Sequence, residues 1–155
     1  MALPSSSVAN LNFEETIPPA MLSVSGHVHY TEVTANGGIP LNLNAVQTDQ
    51  TVQITYHWNQ SGWLLPFMCG NCDCKFQVFL ERMGVAEYGD IPAVVLPFNN
   101  APGSGTAIVT IQPNTVPPGV YRIVACFMLT PSGSNASPCV AFADLGLAHW
   151  YQGIP

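Results

Sequence analysis

The chain has 155 residues, with three Lys or Arg against nine Asp or Glu and a formal net charge of -6. That length suits a single domain, and so few cations exclude nucleic acid or an anionic membrane surface as partners, since both are held by clustered Lys and Arg. Hydrophobic residues make up 48% and charged residues 8%, against a usual charged share of about 25%, so the surface is built largely from Ser, Thr, Asn, Gln, Gly and Pro.

No apolar run approaches the roughly 20 residues that span a bilayer, so no membrane insertion is expected. The opening MALPSSSVANLNFEETIPP lacks the basic start and apolar segment of a secretory signal. Five cysteines in so short a chain nonetheless favour an oxidising setting, extracellular or at a particle surface.

Residues 1–20, rich in Ser, Asn and Pro, read as an extended N-terminal arm. Leu11, Phe13 and Ile17 are its candidate assembly anchors, apolar side chains on a strand that one subunit could donate to another. Residues 21–155 make the domain. In 21–33, Leu22, Val24, Gly26, Val28 and Tyr30 alternate with Ser23, Ser25, His27, His29 and Thr31, the period of a half-buried strand. In 51–58, Val52, Ile54, Tyr56 and Trp58 point inward and Gln53, Thr55 and His57 outward. In 74–80, Cys74, Phe76, Val78 and Leu80 share a face. Pro92 and Pro97 send 91–98 to a sheet edge, because proline cannot donate a ladder hydrogen bond. Further strands are expected over 106–112, 116–130 and 138–151, while helix signals are nearly absent.

Within 116–130, Tyr121, Ile123, Ala125, Phe127 and Leu129 mark a central strand, and the preceding PPG supplies a turn. The run PPGVYRIVACFML after TAIVTIQ resembles the E–F corner of immunoglobulin-like and fibronectin-III-like sandwiches. There a Pro/Gly turn leads to a tyrosine on the penultimate strand. The resemblance implies an all-β fold, a single immunoglobulin-like antiparallel β-sandwich of about seven strands. It departs from the antibody pattern, because the strand at 51–58 has no cysteine to bridge the sheets.

The cysteines are disulfide candidates in two groups. A hairpin centred between Ser132 and Gly133 sets Cys126 opposite Cys139, close enough for a cross-strand bond. Cys69, Cys72 and Cys74 cluster as CxxCxC, which suits a tight-loop disulfide or part of a zinc site. An odd cysteine count leaves one thiol unpaired or joined to another chain.

His27 and His29, two apart on a strand, place both imidazoles on one polar face and are candidate ligands for zinc or copper, as are the three clustered cysteines. No other cofactor is expected. Catalytic templates fail in turn: there is no GxSxG, HExxH, GxxxxGK[ST] or GxGxxG, so no enzyme is expected and no residue is assigned a catalytic role.

The composition then points to a non-enzymatic structural protein, a self-associating subunit of a fibre, coat, shell or surface layer, whose partner is itself as a homo-oligomer or filament. The alternatives are a carbohydrate-binding module, with Trp63, Trp150 and Tyr151 as stacking platforms for a glycan, and a small metal-binding protein.

Overall fold

The structure, a computed structural model, describes residues 8–13, 20–33, 45–67, 72–84, 87–88, 91–99, 101–131 and 139–152. Its strands are β1 (Val8–Asn10), β2 (Asn12–Phe13), β3 (Ser23–Val33), β4 (Ala45–Gln47), β5 (Thr51–Ser61), β6 (Cys72–Arg82), β7 (Glu87–Tyr88), β8 (Val94–Pro97), β9 (Gly103–Ile111), β10 (Gly119–Pro131) and β11 (Cys139–Tyr151). A 3-10 turn, Leu65–Phe67, follows β5.

The long strands form where apolar residues alternate, since each such strand can turn one face to a partner sheet. They pair into two sheets, one ordered β1-β3-β5-β9 and a larger one ordered β2-β11-β10-β6-β7, to which β4 and β8 add at β11 and β6. The chain is therefore an all-β protein of sandwich character. Val28, Tyr30, Val52, Ile54, Tyr56, Val109 and Ile111 of the small sheet are buried with Phe76, Val78, Leu80, Tyr121, Ile123, Phe127 and Leu129 of the large one. Each such side chain withdrawn from water contributes about 1.5–3 kcal/mol. Ring packing orders this interior: Phe76 meets Tyr56 and Phe127 edge-on, with centroids 5.0 and 5.3 Å apart. The Tyr56 hydroxyl crosses the sandwich to donate to the Gln77 carbonyl at 2.6 Å, and its burial pushes the phenol well above its ordinary range.

β10 is central in the large sheet, flanked by β11 and β6. The proline-bearing β8 lies at an edge, paired with β6 from Asp73↔Pro97 to Phe76↔Val94. The described strands outnumber the seven or so expected. The surplus comes from pieces of two to four residues, β1, β2, β4, β7 and β8, each added beside a long strand.

The arm uses both sheets of its own chain. β1 pairs with His27–His29 of β3, β2 pairs with Ala141 and Phe142 of β11, and Leu11 between them is buried, its N–H donating to the Gly26 carbonyl at 2.9 Å.

The β10–β11 register corrects one expectation. Cys139 stands opposite Leu129, while Cys126 stands opposite Phe142 and is a buried thiol that forms no disulfide. The core explains the shift, because this register sets Phe127 against Ala141 and Tyr121 against Ala148, a large inward side chain facing a small one each time.

Candidate functional site

The alternation that fills the core also fixes what lies outside it. On the large sheet the outward positions include Val95 and Pro97 on β8, Asp73, Lys75, Gln77, Phe79 and Glu81 on β6, Val120, Arg122, Val124, Cys126, Met128 and Thr130 on β10, and Val140, Phe142, Asp144, Leu147 and His149 on β11. About half are apolar, where a solvated sheet face is usually polar. Phe79, Val95, Val120, Phe142 and Leu147 are exposed by 37%, 53%, 39%, 38% and 51%. The register joins them into one surface, with Lys75 between Val95 and Met128, and Cys126 between Gln77 and Phe142.

One ion pair sits within that surface. Arg122 donates through Nε to Asp144 Oδ2 at 3.0 Å and through Nη2 to the same oxygen, and Asp144 Oδ1 accepts the Gly146 N–H at 2.9 Å. Arg122 and that N–H hold the Asp144 carboxyl below the usual carboxylate range. Gly146, at φ +82°, marks a bulge where the pairing shifts from Ile123↔Gly146 to Val124↔Asp144. The bulge re-phases β11, so that Leu147 faces outward although Leu145 is buried.

The small sheet carries a different constellation on its outer face. β3 and β5 are neighbours, and His57 stands directly across from His27. The rings of His27, His29 and His57 lie within 4.8–6.5 Å of one another at interplanar angles of 22–25°. The Nε2 atoms of His29 and His57 are 3.0 Å apart, and His57 Nδ1 lies 3.4 Å from Thr106 Oγ1. Burial, then the neighbouring His57 and His27, lowers the pKa of His29, so the cluster favours neutral imidazole there. Among the described residues no group of three or more His, Cys, Asp or Glu side chains makes a metal cage. A shallow groove of about 420 Å3 adjoins the rings, lined by Asn10, Ser25, His27, His57, Trp58 and Asn59 among others.

The other expected site residues are dispersed. Trp63 is exposed and Tyr151 half-buried, but Trp150 is 2% exposed and packs edge-on against Tyr121 in the core, so it offers no stacking platform to a glycan. Cys72 and Cys74 are buried on the inner face of β6, Cys72 bonded in a disulfide and Cys74 as a thiol, and neither is placed as a surface metal ligand. Cys69 and Ile17 lie outside the described residues, as do the side chains of Phe13 and Cys139.

Two features went unassigned at the level of sequence. Alternation already turned His57 to the polar face, but the adjacency of β3 and β5 that joins it to His27 is a tertiary fact. The apolar outer face was hidden because the last strand is apolar at both parities and its phase changes at Gly146.

No protein-family model matches the sequence, and no curated protein and no solved structure matches it.

Proposed function

We propose that the protein is a non-enzymatic, self-associating subunit of a larger assembly such as a fibre, coat, shell or surface layer. In this reading it is built on an immunoglobulin-like sandwich and docks a second copy against the outer face of its large sheet. The observation that carries this reading is the set of exposed apolar side chains Phe79, Val120, Phe142 and Leu147 gathered around the Arg122–Asp144 pair on that face. Exposed apolar patches of several hundred Å2 mark interaction surfaces. Strands of this length at about 3.4 Å per residue and 4.8 Å spacing give a face on the order of 600 Å2. That approaches the roughly 800 Å2 each partner supplies to a standard interface.

Charge favours a second copy as the occupant. The chain is acidic overall, yet two of its three cations, Lys75 and Arg122, lie on this face with Asp73, Glu81 and Asp144, so the face is close to neutral. Like faces can then meet without strong repulsion. The small sheet adds an edge, β9, whose sequence GSGTAIVTI holds neither a charge nor a proline to discourage pairing.

The immunoglobulin-like part of the reading is supported by the Tyr121 hydroxyl, which donates to the Pro117 carbonyl at 2.8 Å, as in a tyrosine corner. The neighbour orders β6-β10-β11 and β3-β5-β9 agree with the C-F-G and A-B-E strands of that fold.

The test replaces Phe142 and Leu147 by lysine together and compares light-scattering mass with that of the wild type. The double variant is expected to be monomeric with an unchanged melting temperature. An unchanged assembly size would overturn the docking face.

A further inference from the structure

We propose that His29 and His57 form a two-nitrogen chelate for a divalent cation of the copper(II) type on the outer face of the small sheet. The geometry of the two imidazoles carries the argument. Their Nε2 atoms stand 3.0 Å apart. Metal–nitrogen bonds of about 2.0–2.1 Å drawn to both would enclose an angle of about 95°. That is near the cis angle of square-planar or tetragonal copper(II), and narrower than the tetrahedral angle zinc adopts in its structural sites.

The surroundings prepare the donors. With the His57 Nδ1 proton directed at Thr106 Oγ1, 3.4 Å away, the Nε2 lone pair is left to face His29, the arrangement by which an outer partner fixes a ligand's tautomer. His29 answers as the Nδ1–H tautomer when the metal is bound, so a neutral pair needs no net proton loss. Both rings are half-buried, and His27 stacks on His57 with centroids 4.8 Å apart, which restricts rotation. His29 has Val8 and Thr55 across from it, and His57 has His27 and Thr106, so the register brings no cation to the pair. Lys75, Arg82 and Arg122, the chain's only cations, all belong to strands of the large sheet. Two protein nitrogens leave the remaining coordination positions to water.

The experiment titrates the chain, without an affinity tag, with Cu2+ and then with Zn2+, followed by calorimetry and electron paramagnetic resonance. The expected result is one Cu2+ per chain, bound more tightly than Zn2+, with nitrogen splittings from two imidazoles. His29→Gln and His57→Gln are each expected to weaken Cu2+ binding at least tenfold and to reduce the splitting to one imidazole. His149→Gln is expected to bind as the wild type does. Circular dichroism of each variant checks that these outward-facing substitutions leave the fold intact. Absence of saturable Cu2+ binding in the wild type, preference for Zn2+, or wild-type affinity in either the His29→Gln or the His57→Gln variant would overturn the proposal.

Discussion

The Tyr121 hydroxyl donates to the carbonyl of Pro117, four residues earlier, at 2.8 Å, while its ring, 1% exposed, packs edge-on against Trp150. One side chain thus ties the turn before β10 to the core between the sheets. Tyr121→Phe keeps the ring and removes the donor. The expected loss is about 1–2 kcal/mol, the cost of a net hydrogen bond plus an acceptor left in a partly buried place. A lowered urea midpoint with an unchanged slope would show it.

Trp58 lies across Gly105, its register partner in β9, and a Cβ built on Gly105 would come within 2.2 Å of the indole ring. Gly105→Ala must push the ring off its packing against Phe76 and Phe127. Overpacking of this kind costs roughly 1–3 kcal/mol. The variant should melt lower and show altered tryptophan emission. Gly84→Ala is not a suitable control, because Gly84 has a positive φ of 86°.

Asp144 gives the stability a pH dependence of known sign. Its folded-state carboxyl is held below the ordinary value, first by the hydrogen bond from Arg122 and then by the Gly146 N–H. The folded state therefore binds fewer protons than the unfolded chain in that range. The contribution is present above the unfolded-state value, about 3.9, and is lost as pH falls through the depressed folded one. Asp144→Asn should melt below the wild type near neutral pH, and the gap should close in acid. Thermal scans across that range check it.

Cys74 and Cys126 are thiols at 3% and 2% exposure. Both should resist a thiol reagent in the native protein and react on unfolding without reductant. Mass spectrometry of the non-reduced, denatured and alkylated chain should find both labelled. A peptide joining Cys126 to Cys139 would contradict the β10–β11 register.

Faces were far more legible than neighbours. The alternation in 21–33 and 51–58 assigned inward and outward residues correctly because a half-buried strand has a period of two, whichever strand lies beside it. The turn in PPG likewise placed Tyr121 at the head of the central strand. Hairpin register was not legible, since a loop rich in Gly, Ser and Pro is compatible with several turn centres. The choice was made by Phe127 needing Ala141 across from it. The outer patch escaped for a related reason, because the bulge at Gly146 reverses the parity of everything after it. The histidine cluster was half legible: His27 and His29 share a strand, and the third ring arrives from a strand whose adjacency no local pattern encodes.

The central claim is that the outer face of the large sheet meets a second copy of the chain. Sedimentation of the wild-type chain through a dilution series tests it most directly. The account predicts a mass that is a multiple of the monomer at high concentration and falls toward the monomer on dilution or after the paired lysine substitutions at Phe142 and Leu147. A single monomeric species at every concentration would contradict it.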